Sequence, residues 1–581
     1  MKLQSPLQHP FARSLVTVRT WPFVIDVGVA ACLLATFFAI VHMGQYWMGT
    51  PIPVVPISHS VSALPVYAFY SMVRIGIAYL LSLCFAISYG YIAAYNPRVE
   101  AWMIGLLDIL QSIPVLSFLP PVVLAMVALV PGHQLGIELG VILLIFTGQV
   151  WNLAFSFYSS LKSIPKEMLE ASRIYRYSAW QRFWQLEMPN AAIGLVWNSI
   201  VSVAGGWFAL IACEMFTMGD RNFQLPGLGS YLQTATASGD VKALLTGIAV
   251  VILIVVATDQ LIWRPLIAWS DKFKFENVES ANRVTSPVLD ALRNSRVVGI
   301  INRYTFRPVA ERFYMDLGHR HRKPQRERTE PKRSATAVYV AIAAALLVAI
   351  GFAAFHAVLL LREINRHEFL RLLAGAGLTF ARVNGALLIA SLWTIPVGVA
   401  IGFNPRLSQL LQPIAQIAAS FPATALFPLI LIALARIGVG LGLGSVALML
   451  LAAQWYVLFN VIAGAQAIPS ELREIATLFR FSNLQRWTTV ILPGIFPFLI
   501  TGLITASGGA WNASIVAEYF QLKGRALATL GLGAQISAAS DQANYPVLLA
   551  ATMIMALMVV TINRLVWRPL YHLAETKYRL D

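Results

Sequence analysis

Apolar runs of about 20 residues recur along the whole of this 581-residue chain. A helix of that length is long enough to cross a hydrocarbon core roughly 30 Å thick. In lipid, every backbone polar group must be satisfied within the protein, so only helices and closed β-barrels span a membrane. The runs are continuously apolar, whereas barrel strands alternate apolar and polar residues. The sequence therefore predicts an all-α polytopic membrane protein.

The composition agrees with that class. The chain is 58% hydrophobic and only 12% charged, whereas soluble proteins carry roughly 25% charged residues. The net charge of +16 is typical of the Lys and Arg excess in cytoplasmic loops, so we expect a lipid bilayer and no nucleic acid as partner. Cys32, Cys84 and Cys213 lie in apolar runs without metal-ligand spacing, so neither a disulfide framework nor a metal site is expected.

About 12 spanning helices are predicted, and the N-terminus, with Lys2, Arg13 and Arg19, is expected to be cytoplasmic. The first six segments are 24–45, 67–93, 101–130, 136–160, 191–216 and 241–264. The second six are 336–361, 374–402, 408–436, 444–467, 494–520 and 542–566.

The chain contains the same unit twice. A shift of 308 places Arg74 on Arg382, and a shift of 304 places Glu214 on Glu518. Many other pairs share these two shifts, among them Pro114/Pro422, Pro165/Pro469, Glu170/Glu474, Pro189/Pro493, Trp207/Trp511 and Trp263/Trp567. We predict a first repeat at 1–266, a basic cytoplasmic linker at 267–335 with a short helix around 286–315, and a second repeat at 336–581. An even number of spans in each repeat makes the two copies parallel, related by an axis along the membrane normal.

A polar, basic loop interrupts each repeat at 170–189 and 474–493. Each loop follows an Ile-Pro pair, and proline suits the first turn of a helix. Ser178 and Ser482 are expected to be N-caps of second short helices at 179–185 and 483–489. Pro189 and Pro493 are expected to begin the next span. The loops therefore read as helix, turn, helix.

Here the sequence resembles a known family. Glu170, Ala171 and Pro189, and likewise Glu474, Ala476 and Pro493, have the spacing of the Glu-Ala-Ala loop in inner-membrane permeases of bacterial ABC importers. The Arg74 region and the residues around Glu214 and Glu518 are similar to the nitrate, sulfonate, taurine and bicarbonate branch, in a duplicated, fused form.

The resemblance implies two type I ABC importer permease repeats in a bacterial inner membrane. It implies two ABC ATPase subunits, which carry ATP and Mg, and a periplasmic substrate-binding protein as partners. It also implies that each loop supplies a coupling helix for one ATPase. The residues assigned to coupling are Glu170, Ala171, Arg176, Ser178, Arg182, Glu474, Ala476, Arg480, Ser482 and Arg486.

The loops depart from the family pattern at one position, because Arg176 and Arg480 stand where the family usually has Gly. If that position is left-handed, a residue other than Gly is strained there by roughly 1 kcal/mol. Either the turn differs in this chain, or the arginines contact the ATPase.

Several residues are candidates for the translocation path or its gate. Intramembrane acids are functional candidates, and Glu214 and Glu518 are expected to pair with Arg74 and Arg382 near the external face. Prolines kink helices and free backbone carbonyl groups. The proline candidates and their polar neighbours are Ser112, Pro114, Ser420 and Pro422. Trp207 and Trp511 follow glycines, and either a place in the path or simple helix packing explains them.

The sequence has no phosphate-binding Gly-x-x-x-x-Gly-Lys-Ser/Thr loop, so the chain is not expected to be an enzyme or to hold a cofactor. The predicted function is the permease subunit of an ATP-driven importer of a small anion such as nitrate, sulfonate, taurine or bicarbonate. A secondary transporter with two parallel six-helix repeats is the alternative, and a membrane scaffold or sensor is a third reading. The sequence does not distinguish the substrates.

Overall fold

A computed structural model describes residues 43–50, 54–112, 114–218, 221–273, 286–294, 354–522 and 525–577, with isolated positions between them. Most of the predicted spans 24–45 and 336–361, and most of the 267–335 linker, lie outside the described residues. The chain forms two compact units, one of residues 1–46, 165–193 and 259–327, the other of residues 47–164, 194–258 and 328–581.

Helices dominate both repeats. Those of the first repeat and the linker are α1 Leu64–Tyr95, α2 Pro97–Ser112, α3 Leu119–Leu129, α4 Leu135–Lys162, α5 Lys166–Ile174, α6 Ala179–Arg182, α7 Met188–Cys213, α8 Leu228–Ser238, α9 Val241–Thr258, α10 Arg264–Ser270 and α11 Pro287–Asn294. Those of the second are α12 Arg366–Phe403, α13 Pro405–Ser420, α14 Ala423–Arg436, α15 Leu441–Ala467, α16 Ser470–Leu478, α17 Asn483–Gln485, α18 Leu492–Ala517, α19 Leu532–Asp541, α20 Tyr545–Ile562 and α21 Arg568–Lys577.

One antiparallel hairpin follows the long helix after each loop. β1 Met215–Met218 pairs with β2 Arg221–Gln224, and β3 Tyr519–Leu522 pairs with β4 Arg525–Ala528. We call the end of α7 and α18 that carries these strands the hairpin end.

Within the described residues, eight helical segments are long and apolar enough to cross a membrane. They are Val61–Tyr95, Leu135–Lys162, Ala179–Cys213, Val241–Ser270, Arg366–Phe403, Leu441–Ala467, Asn483–Ala517 and Tyr545–Ala574. The fold class predicted from the sequence is therefore confirmed.

Two predicted spans are wrong as single helices. Segment 101–130 is divided into α2, a 3₁₀ turn at Val115–Phe118 and α3, and segment 408–436 is divided into α13 and α14. Each break comes at Pro114 or Pro422, because proline has no N–H for the helical ladder and disfavours helical geometry in the residue before it. The prolines thus end a helix rather than kink it.

The sequence predicted that Pro189 and Pro493 begin new spans, but the helical segments that contain them start earlier. Each lies inside one helical segment, Ala179–Cys213 or Asn483–Ala517. A π-helical turn precedes each proline, at Phe183–Glu187 and Arg486–Ile491. The wider turn accommodates a residue that cannot donate to the ladder. The same device precedes Pro265 and Pro569, at Asp259–Trp263 and Asn563–Trp567.

The long helices pack closely where small residues face a neighbour. α1 packs along α4, and α12 and α18 both pack along α15. A Cβ added at Gly90 would lie 2.9 Å from the ring of Phe157, and one at Gly402 would lie 2.6 Å from Ala465. Missing side chains at these positions let the helices approach, as in other membrane helix pairs.

Candidate functional site

Each loop contains a left-handed turn at an arginine. Arg176 has φ 50° and Arg480 has φ 51°. In the first loop, Arg176 N donates to Arg173 O at 3.0 Å and Tyr177 N donates to Ser172 O at 2.9 Å. The second loop repeats this pattern at the corresponding residues. This is a Schellman motif, which satisfies the last carbonyl groups of α5 and α16. The turn is the one that favours Gly, so both arginines keep a strained conformation of roughly 1 kcal/mol.

The predicted N-caps are confirmed in both loops. Gln181 N donates to Ser178 Oγ at 3.0 Å, and Ser178 N donates to Gln181 Oε1 at 2.9 Å. Ser482 and Gln485 make the same reciprocal pair. These capping boxes fix the direction in which the chain leaves the turn.

The tip of each loop presents apolar side chains to solvent. Ile174 and Tyr175 are 77% and 75% exposed, and Leu478 and Phe479 are 79% and 69% exposed. We call these pairs the first and second knobs. Glu170 and Glu474 are exposed one turn earlier, whereas Ala171 is half-buried and Ala476 is buried. Exposed apolar groups of this kind mark a surface for another protein or a membrane.

The two loops differ behind the knob. Arg182 Nε lies 2.6 Å from Glu187 Oε1. Ile491 occupies the place of Glu187 in the second loop, and Arg486 Nε has no hydrogen-bond partner among the described residues.

At the hairpin end of the first repeat, Arg74 lies in a fully buried ionic cluster. Its Nε and Nη2 donate to the two carboxylate oxygens of Glu138 at 2.6 and 2.7 Å. Its Nη1 donates to Glu214 Oε1 at 2.6 Å and to Pro226 O at 2.9 Å. Ser71 Oγ also donates to Glu214 Oε1, at 2.7 Å. This first ionic cluster (Arg74, Glu138, Glu214) joins α1, the start of α4 and the end of α7.

The second ionic cluster (Arg382, Glu518) is simpler. Arg382 Nη1 donates to Glu518 Oε1 and to Leu530 O, both at 2.8 Å. Thr379 takes the place of Ser71 and donates to Glu518. Gly442 stands where the first repeat has Glu138, and Arg382 Nη2 donates instead to Thr529 Oγ1 at 3.0 Å.

A glycine beside each cluster has no room for a side chain. A Cβ at Gly227 would collide with the carboxylate of Glu214, and a Cβ at Gly531 would collide with that of Glu518. Two residues later, Gly229 N and Gly533 N donate to the same carboxylates at 2.6 and 2.9 Å. The acid is therefore held by arginine, hydroxyl and backbone N–H together, which compensates for the loss of water around a buried charge.

Two cavities lie on either side of the broken helices. The large cavity, of about 390 Å³, is lined by both repeats, with Trp151, Trp455 and Tyr456 beside neutral polar groups such as Asn152 and Asn512. The hairpin cavity, of about 340 Å³, reaches β1, β2, β3 and α19.

The segments that start at the helix breaks separate the two cavities. Val115 and Ala423 line the large cavity, Thr424 lines the hairpin cavity, and Leu116 lines both. We call Val115, Leu116, Ala423 and Thr424 the partition.

The structure brings together the predicted Arg–Glu pairs, and it shows that Pro422 lines the large cavity while Pro114 is buried beside the partition. The side chains of Ser112 and Ser420 lie outside the described residues. Trp207 and Trp511 are buried and line neither cavity, which favours helix packing for both, and their place in the path stays a prediction. The lining positions are instead the next residues, Phe208 and Asn512, about 100° further round the helix.

Sequence reasoning missed Glu138, Thr529 and Thr424, a partition residue whose Oγ1 has no hydrogen-bond partner among the described residues. A charged residue in an apolar run was the available signal for Glu138. Thr529 is not an acid and carried no signal. Among the described residues, no group of three or more His, Cys, Asp and Glu is placed to hold a metal ion.

These features define a predominantly helical, multi-pass membrane protein with two repeats. The chain belongs to the family of binding-protein-dependent transport system inner membrane components, whose model matches residues 86–262 and 394–568. The matched segments lie within the two predicted repeats and include both loops.

Three relatives are each similar to part of the chain. The bicarbonate transport system permease protein CmpB of Synechococcus elongatus is 29% identical over 140 residues, which are 24% of this chain and 49% of that protein. The nitrate import permease protein NrtB of Leptolyngbya laminosa is 30% identical over 137 residues, 24% of this chain and 48% of that protein. The taurine transport system permease protein TauC of Escherichia coli is 30% identical over 180 residues, 31% of this chain and 62% of that protein. The chain thus spans about half to three-fifths of the length of these relatives.

Proposed function

We propose that this chain supplies both transmembrane halves of an ATP-driven, binding-protein-dependent importer for a small anion. Two ABC ATPase subunits dock on the two loops, and a substrate-binding protein delivers the anion at the hairpin end. The N-terminus and the loops lie on the cytoplasmic side of the inner membrane.

The observation that carries the proposal is the repeated loop geometry. Both loops contain an arginine in the strained left-handed conformation, and both expose an apolar knob immediately before it. Strained backbone persists where the surrounding structure and a function maintain it. A loop that only connected two spans would not need the same strained turn and the same knob twice.

Transport requires that ATP-driven movement at the loops reach the partition. In each repeat the loop continues through a π-helical turn into α7 or α18, which ends at the hairpin and the ionic cluster. Movement of a loop therefore acts on a continuous helix that passes both cavities. The ionic clusters hold the hairpin ends of these helices in place. We therefore expect loop movement to shift the middle of each helix, and with it the position of the partition residues.

The test is ATP-driven uptake by the full chain reconstituted with candidate ATPase and substrate-binding subunits from the same organism. Glu170→Ala together with Glu474→Ala is expected to abolish the coupling of ATP hydrolysis to uptake of nitrate, bicarbonate or taurine. The matched control is Glu167→Ala with Glu471→Ala, which removes the same charges from the first turns of the same helices. Uptake that needs no ATPase, driven by an ion gradient, would support the secondary transporter instead.

A further inference from the structure

The second half of the partition carries a hydroxyl group that nothing in the described structure uses. Thr424 is 5% exposed, and its Oγ1 has no hydrogen-bond partner. The residue lines the hairpin cavity. Buried polar groups in proteins nearly always have a partner, so an unpaired one at a cavity wall points to something that enters the cavity.

Thr424 is the second residue of α14, which begins beside the buried Pro422. The first N–H groups of a helix have no acceptor within the helix, and the helix dipole places partial positive charge there. Anions bind at such ends without any Lys or Arg. Ala425 N already donates to Pro422 O at 3.0 Å. Among the described residues, the donors that remain in this turn are Ala423 N, Thr424 N and the Thr424 hydroxyl.

The first half of the partition lacks this arrangement. Val115 N, the counterpart of Ala423 N, donates to Asn512 Oδ1 at 2.8 Å. Leu116 stands where the second repeat has Thr424. Phe208, the counterpart of Asn512, offers no acceptor to Ala423. In the first repeat's half of the partition, Val115 N is therefore occupied by a hydrogen bond. In the second repeat's half, the Thr424 hydroxyl has no partner among the described residues.

We propose that Thr424 and the first turn of α14 form a binding site for a small, singly charged oxyanion. The site belongs to the second repeat's half of the partition alone. This rests on the proposed function and specifies the chemistry of the ligand. Nitrate, bicarbonate and the sulfonate group share several oxygen atoms that divide one negative charge. The site offers neutral donors, which suit a single charge and would leave a second charge uncompensated.

The direct test measures anion binding by the purified full-length chain. Its thermal unfolding midpoint is followed as sodium nitrate replaces the bulky anion gluconate at constant ionic strength, and then with bicarbonate and methanesulfonate to distinguish the oxyanions. Thr424→Val is expected to lose the stabilisation, and Thr424→Ser is expected to keep it.

Thr394→Val is the matched control, because Thr394 is also buried but its Oγ1 already donates to Ala390 O at 2.7 Å. If Thr424→Val fails to fold, Thr424→Ala is compared with Thr424→Ser. The proposal is overturned if wild type shows no oxyanion-dependent shift, or if the shift survives in Thr424→Val or Thr424→Ala.

A second readout separates this proposal from the function it builds on. In the reconstituted transporter, Thr424→Val is expected to lower the uptake rate at saturating binding protein about tenfold, since a hydrogen bond to a charged group is lost. Binding-protein-stimulated ATP hydrolysis is expected to continue. Wild-type uptake without ATP dependence contradicts the proposed function. Normal uptake by Thr424→Val contradicts the oxyanion site alone.

Discussion

The first repeat carries paired carboxylate groups, two of them within a single helical segment, at positions where the second repeat has neutral residues. Glu138 pairs with Arg74, and Glu100 with Lys162 at 2.8 Å. Glu187 pairs with Arg182, and Asp259 with Arg264 at 3.3 Å. The counterparts of the four acids are Gly442, Ser408, Ile491 and Asn563.

Some contacts survive this change of chemistry. Gln466 Nε2 donates to Ser408 Oγ at 3.1 Å in the place of the Lys162–Glu100 pair. Thr529 accepts from Arg382 where Glu138 accepts from Arg74. Glu214 and Glu518, by contrast, keep the same acid, the same arginine and the same glycines. The carboxylate at the hairpin end and the loop turn are therefore the same in both repeats. At the other positions, a hydrogen bond between different polar groups replaces the ion pair, or the contact is lost.

The largest difference between the repeats is expected on removing the arginines. Arg74→Met leaves two buried carboxylates without a cation and is expected to lower the free energy of unfolding by about 3–5 kcal/mol. Arg382→Met leaves one carboxylate with other donors, and the expected loss is about 1–3 kcal/mol. Thermal and denaturant unfolding of the purified chain measure both values. Arg366→Met, at an exposed position, is the control. Equal losses in the two repeats would show that Glu138 adds nothing to the first cluster.

The shared part of the clusters is tested by filling the glycine positions. Gly227→Ala and Gly531→Ala each push a Cβ into the cluster carboxylate, and each is expected to cost about 1–3 kcal/mol. The two losses should be similar, because the added Cβ meets the same carboxylate group in both repeats. Gly377→Ala is the control, since a Cβ there meets nothing within 4 Å. A loss confined to one repeat would contradict the equivalence of the clusters.

A smaller effect of opposite sign is expected at the loops. Arg176→Gly and Arg480→Gly remove the strain of the left-handed turn and are expected to raise the free energy of unfolding by at most about 1 kcal/mol. Arg176→Lys and Arg480→Lys keep the strain and the charge, and serve as controls. If the arginines contact the ATPase, the Gly variants should also lower ATPase binding. Destabilisation by Gly would mean that the arginine side chains, rather than the turn, hold the loops.

The smallest effect is a pH dependence confined to the first repeat. Hydrogen bonds from Lys162 and Tyr158 lower the pKa of Glu100 below its usual value. The stabilisation is therefore complete above the pKa of an unfolded glutamate and is lost as the pH falls through the folded value. Acid should lower the thermal midpoint of wild type more than that of Glu100→Gln. Ser408→Ala, at the counterpart position, should leave the pH dependence of wild type unchanged. A difference of the opposite sign would contradict the pairing.

The sequence predicted the parts of this fold that depend on local pattern. Apolar run length predicted the long helices. Ser178 and Ser482 before the second short helices predicted the N-caps, and the intramembrane acids predicted the Arg–Glu pairs. The sequence did not predict that the broken helices end at Pro114 and Pro422, because a proline in an apolar run is compatible with either a kink or a break. It did not predict the continuation through Pro189 and Pro493, which depends on a π-helical turn. Glu138 and Thr529 reach their arginines only through tertiary packing.

The central claim, that two equivalent loops each dock one ATPase, is tested most directly by native mass spectrometry of the complex isolated from membranes. We expect one copy of this chain with two ATPase subunits. Tyr175→Asp and Phe479→Asp place a charge in the exposed first and second knobs, and each should leave one ATPase bound, while the double variant should leave none. A wild-type complex with a single ATPase, or two ATPases still bound to the double variant, would contradict the account.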